Sequence, residues 1–212
     1  MSESVAPTRF VEQLGGVKGM VDSGLPVVVF VAVNALAGLR WAIGAALAAG
    51  VLVFIVRLVR RERLQFAVSG LLGVGVAAFF AWKLRSAAGF FLPGIAVNAA
   101  YLLAFAGSLL ARRPLVGLLW TYLGDGVPDW RQRAPLRRAY TQATGLWALM
   151  YAAKVAVQGP LLITHRTGWL AVAKLAMGYP LFALVAAATV WLVRRGRAAD
   201  GRAADAAALP VG

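Results

Sequence analysis

Lys154 and Gln158 stand four residues apart inside one long apolar run, and Lys174 stands inside the next. Four residues is one helical turn, so Lys154 and Gln158 would share a helix face. An ammonium held in a bilayer costs about 2.5–3.5 kcal/mol at the helix centre. Such a charge requires a counter-ion or a route to the headgroups. None of the eight Asp and Glu residues falls near either lysine: Glu3, Glu12, Asp22, Glu62, Asp125, Asp129, Asp200 and Asp205 all lie in polar connecting segments. The chemistry on offer is therefore the holding of an anion, such as a lipid phosphate, a lipid-linked precursor or a small anionic solute. The competing reading is that both lysines snorkel to phospholipid headgroups. Asn34 and Asn98, also in apolar runs, would either bond neighbouring helices or line a polar route.

The elements that must position these residues are membrane helices. The 212-residue chain is 61% hydrophobic, with a mean hydropathy of +0.74, where soluble domains are about 45–50% apolar. A hydrocarbon core roughly 30 Å thick needs about 20 apolar residues per helical span. Six runs approach that length: 24–39, 40–59, 64–82, 89–111, 136–163 and 168–193. The fold class expected is an all-α, six-span membrane bundle. Residues 1–23 form an N-terminal segment, partly amphipathic and lying at the membrane surface. Asp22 or Ser23 would cap the first span, with Pro26 in its first turn. The membrane domain occupies 24–195, and within it 114–135 supplies a short interfacial helix and a loop. A disordered tail is expected over 196–212. Glu3, Glu12 and Asp22 argue against a cleaved signal peptide and for a retained first span.

Basic residues orient the bundle. Of 22 Lys and Arg, only Arg40, Lys83, Arg85 and Arg166 fall in one set of alternate loops, and Lys154 and Lys174 fall inside spans. The others, including the pairs Arg60-Arg61, Arg112-Arg113 and Arg194-Arg195, collect on the opposite side. The basic side is cytoplasmic, which puts both termini in the cytoplasm and the two lysines in the outer half. The net charge of +14 is thus an orienting charge; no groove-reading motif accompanies it, and nucleic acid is not an expected partner. Trp41, Trp82, Trp120, Trp130 and Trp169 read as interfacial anchors. Ser69, Gly73, Ala77 and Ala81 place small residues on one face as a packing seam. Leu25-Pro26 before Asn34 and Leu92-Pro93 before Asn98 admit an inverted 3+3 repeat, an arrangement found in transporters.

Catalysis is not expected. No carboxylate pair lies in the spans, and the one histidine, His165, has no adjacent serine or cysteine. Gly15-Gly16-Val17-Lys18-Gly19 lacks the Ser/Thr and preceding strand of a phosphate loop. Asp125 and Asp129 fit solvated turn residues. With no cysteine and one histidine, no metal site and no cofactor are expected.

Several longer motifs carry a resemblance. Gln13-Leu14-Gly15-Gly16-Val17-Lys18-Gly19-Met20-Val21-Asp22-Ser23-Gly24-Leu25-Pro26, Arg57-Leu58-Val59-Arg60-Arg61-Glu62 and Phe90-Phe91-Leu92-Pro93-Gly94 resemble the actinobacterial domain-of-unknown-function 3159 family. So do Arg112-Arg113-Pro114-Leu115-Val116-Gly117, Val157-Gln158-Gly159-Pro160-Leu161 and Gly178-Tyr179-Pro180-Leu181. More distantly, the chain is similar to intracellular septation protein A of other bacteria. The resemblance implies a multi-pass protein of the bacterial inner membrane tied to envelope or division proteins. It implies no reaction and no catalytic residue. Expected partners are membrane lipids, with an anionic lipid or lipid-linked precursor as ligand, envelope or division proteins, and a second copy of the chain in a homo-oligomer. The expected activity is non-enzymatic binding or movement of an anion through Lys154, Gln158, Lys174, Asn34 and Asn98. The alternative is a scaffold acting through the loop 114–135.

Overall fold

A computed structural model describes residues 16–61, 64–122, 127 and 129–208. All regular structure among them is helical. Helix α1 spans Gly16–Ala37, α2 Leu39–Val59 and α3 Leu64–Lys83. A 3-10 turn at Ala87–Phe90 leads into α4, Leu92–Leu110, and α5 is the short Leu115–Tyr122. Then come α6, Ala134–Ile163, α7, Thr167–Ala176, and α8, Tyr179–Ala208.

Four stretches are long and apolar enough to cross a membrane: Leu39–Val59, Leu92–Leu110, Ala134–Ile163 and Thr167–Ala203, the last including the break between α7 and α8. The apolar parts of α1 and α3, Gly24–Ala37 and Ala67–Lys83, are shorter. Large apolar side chains such as Leu36, Leu103, Leu110 and Ile163 are exposed on these helices, as suits a surface facing lipid rather than water.

The helices lie close to the expected apolar runs, but among the described residues four stretches, not the expected six, are long and apolar enough to cross a membrane, and the structure differs at three further places. Helix α1 starts at Gly16, so Asp22 and Ser23 lie within it and Pro26 is in its interior, not its first turn. The N-terminal segment and first span are continuous from Gly16 because Val17, Met20 and Val21 extend the apolar pattern; residues before 16 lie outside the described part. The single residue Gly38 separates α1 from α2, at φ 84° and ψ 174°, a backbone state that glycine adopts without steric cost. The expected sixth span is two helices. Gly178 sits 2.7 Å, measured from the position a Cβ would take, from the Lys174 carbonyl oxygen, and Pro180 follows in the first turn of α8, where its missing N–H costs little. Finally, the tail expected to be disordered is helical to Ala208. Its Ala and Arg residues are strong helix formers, and Asp200 accepts a 2.7 Å hydrogen bond from Arg133.

The chain divides into two compact units. One comprises Met1–Val97 with Lys154–Tyr179, the other Asn98–Ala153 with Pro180–Gly212. The first unit packs around Phe30, Phe90 and Phe91, with Ala42 and Ala46 of α2, Ala77 and Ala81 of α3, and Leu170 and Ala171 of α7. Phe30 stacks on Phe90 with ring centroids 4.0 Å apart. Of the expected small-residue seam, Ala77 and Ala81 are in this core, whereas Ser69 and Gly73 are exposed. Gly50 on α2 meets Val74 of α3 instead, 3.3 Å from where a Cβ would stand.

The second unit packs around Leu136, Tyr140, Ala143 and Val193, with Val116 and Trp130. Trp130 is 5% exposed; it is a core residue and not the interfacial anchor expected from sequence. Its indole fills the space left by Gly117, 2.8 Å from the position of an absent Cβ, and lies edge-on to Tyr140. Trp41, Trp82 and Trp169 are exposed. A second cluster of Met150, Tyr151 and Val185 continues this core, with Phe105 stacked on Trp147 at 5.8 Å.

Candidate functional site

Helix α6 carries Lys154 and Gln158 one turn apart. Both are buried, at 9% and 5% exposure. Burial of a glutamine amide is unfavourable unless its two donors and its acceptor are met. Gln158 makes no hydrogen bond to another described residue, although Lys154 does have a partner interaction. The face of α6 that the sequence singles out is therefore turned inward rather than to lipid.

Lys174 lies in the last turn of α7, where a cation opposes the negative end of the helix dipole. Its stem is half-buried. The ammonium stands 5.5 Å from the centroid of the Phe91 ring, a cation–π contact. It is also 3.6 Å from the position a Cβ on Gly94 would occupy. Lys174 thus points at the first turn of α4, where the opening N–H groups of the helix have no intrahelical acceptor. Among the described residues no carboxylate pairs with Lys174.

Asn34, on α1, and Asn98, on α4, are half-buried. Neither makes a hydrogen bond to a described residue. Lys154, Gln158, Lys174 and Asn34 belong to the first unit; Asn98 begins the second. Phe91 and Gly94, the residues that meet Lys174, were not among the sequence candidates. Their signal was present in the run Phe90-Phe91-Leu92-Pro93-Gly94, which has no reason to combine aromatic bulk with a glycine unless something approaches closely there.

The motifs and the helical architecture agree with the comparison to known families. The chain belongs to the DUF3159 family. The match to this family, described as protein of unknown function, covers residues 14–200, and so takes in every helix from α1 through most of α8. No curated protein and no solved structure matches the chain. For this DUF3159 member, function must come from the site itself.

Among the described residues no group of three or more His, Asp or Glu side chains is arranged to hold a metal ion. Asp129 is exposed in a turn at φ 59°, in keeping with a solvated loop acid; Asp125 lies outside the described residues. Asp129 does line an open cleft of about 540 Å³ with Leu118, Thr121, Tyr122, Trp130, Arg131 and Gln132.

Proposed function

We propose that this DUF3159 protein is a non-enzymatic six-span protein of the bacterial inner membrane, with both termini cytoplasmic, that binds or moves an anionic lipid or small anionic solute. The observation that carries the reading is the buried pair Lys154 and Gln158 on one face of α6. A cation and an amide withdrawn from lipid are costly side chains to keep, and an anion would use both: charge from the lysine, N–H donors from the glutamine. Lys174, held over Phe91 beside Gly94, adds a second positive group. Asn34, in the same unit, has an amide group available to shape a route. The interruption between α7 and α8 supports a transport role, since discontinuous helices recur at substrate sites in transporters.

The scaffold reading has one observation of its own. The cleft beside Trp130 presents Arg131, Gln132 and Thr121 around exposed apolar side chains of α5, a mixture suited to a protein partner. Envelope or division proteins would be the class to seek.

Native mass spectrometry of detergent-purified protein, beside the Lys154→Met/Lys174→Met variant, separates the two. The anion reading expects the wild type to carry at least one phosphate-bearing adduct more than the variant, which stays folded. Equal adducts on both would mean that the lysines snorkel, and replacement of 120–133 would become the informative change.

A further inference from the structure

Two helix ends in the first unit are closed in an unusual way. After α3, Arg85 adopts the left-handed conformation at φ 48°, and the Ser86 N–H turns back to the Ala81 carbonyl at 3.2 Å. After α6, His165 does the same at φ 54°, and the Arg166 N–H returns to the Leu161 carbonyl at 3.0 Å. Glycine is the usual residue at this position of a helix end. A side chain there costs about 1–2 kcal/mol through contact of Cβ with the following carbonyl. Here the position is filled by an arginine and a histidine, both exposed.

The two ends touch. Ser86 Oγ and His165 Nδ1 are 3.3 Å apart, although 79 residues separate them in the chain. The contact brings Arg85-Ser86 and His165-Arg166 together at one end of the unit. No acidic residue occurs in the stretches that supply them, 63–124 and 130–199. Arg61 and Arg112 also follow helix ends in the left-handed state, and Asp129 adopts it in a turn.

We propose that the paired ends form an oxyanion clasp for a phosphate group, carried either by a lipid headgroup or by free phosphate. Arg85 and Arg166 supply forked N–H donors that match two phosphate oxygens. Ser86 supplies a hydroxyl and His165 a ring nitrogen. The contact of Ser86 with His165 brings the two helix ends that carry these residues together. The clasp is separate from Lys154, Gln158 and Lys174 and does not depend on their role.

The cost of the left-handed backbone provides a clean test. Arg85→Gly/His165→Gly removes both side chains and puts the favoured residue at both left-handed positions. The full chain in maltoside micelles would be titrated with inorganic phosphate and with short-chain phosphatidylglycerol. The expected result is an unchanged or higher Tm in the variant, with binding weakened about tenfold or more. Wild-type binding of phosphatidylglycerol alone identifies a headgroup as the source; binding of both probes identifies the bare phosphate group as sufficient. Wild-type protein that binds neither probe, or a variant that binds as tightly as wild type, overturns the proposal. Loss of folding in the variant would overturn the strain argument, and Arg166→Gln, in which both helix ends stay intact, would then decide the clasp by the same titrations.

Discussion

The two compact units treat their polar side chains differently. In the second unit most of them are spent on the protein itself. Thr144 donates to the Tyr140 carbonyl at 2.7 Å and accepts from the Val116 N–H at 3.3 Å, which satisfies one of the open donors at the start of α5. The Trp147 indole donates to Thr189 at 3.0 Å. Ser108 accepts from the Leu115 N–H at 3.3 Å. Arg133 pairs with Asp200. Trp120 Nε1 and Tyr140 Oη, both buried without a partner, and Asn98 are exceptions. In the first unit, Gln158, Asn34 and Lys174 make no hydrogen bond to any described residue. The named polar groups of the second unit are largely engaged by the protein itself, and those of the first unit are the ones on which the proposed anion site rests.

The largest effect should come from crowding the second unit. Gly117→Ala would set a methyl group 2.8 Å from the Trp130 ring and 3.1 Å from Tyr140. Overpacking of this kind costs about 1–3 kcal/mol, and a thermal unfolding curve should show a clearly lower Tm. A variant as stable as wild type would mean that Trp130 is not fixed as described.

Next in size is Thr144→Val, which keeps shape and removes the hydroxyl. The buried Val116 N–H then loses its acceptor, at a cost of about 1–3 kcal/mol. Hydrogen exchange in α5 should quicken along with the fall in Tm. Exchange that stays as slow as in wild type would show that α5 is held by its apolar contacts alone.

The sharpest contrast is also the smallest change in stability. Gln158→Met exchanges a buried amide with no described hydrogen-bond partner for an apolar chain of similar length. The change should be neutral or stabilising by up to about 1 kcal/mol, the opposite sign to Thr144→Val. A marked loss of stability would place Gln158 among the structural residues and erase the difference between the units.

Much of this architecture could be read from composition. Apolar length located the helices from Leu39 to Ile163 within a few residues, because a span must match the bilayer and little else sets its ends. The sequence also picked out Lys154 and Gln158, since i and i+4 share a face whatever the tertiary structure. What it could not supply was contact at a distance. His165 was set aside for want of a neighbouring serine, and Ser86 reaches it across 79 residues. Trp130 looked like an anchor because it lay in a polar loop; Gly117, on another element, makes it a core residue. The break at Gly178 was hidden inside a continuous apolar run, where hydropathy carries no phase. The helical tail was missed because small and charged residues suggest disorder until a partner such as Arg133 fixes them.

The most direct test of the proposed anion site is stabilisation by an anionic lipid. It is best made in an Arg85→Gly/His165→Gly background, so that the proposed clasp cannot contribute. Protein with Lys154 and Lys174 intact would be melted with phosphatidylcholine alone and with added phosphatidylglycerol, beside the same protein carrying Lys154→Met/Lys174→Met. A ligand at about 100 times its Kd stabilises by about 2.7 kcal/mol, enough to raise Tm visibly. The account predicts that phosphatidylglycerol raises the Tm of the lysine-bearing protein and leaves that of the Met variant unchanged. An equal rise in both, or none in either, would contradict it.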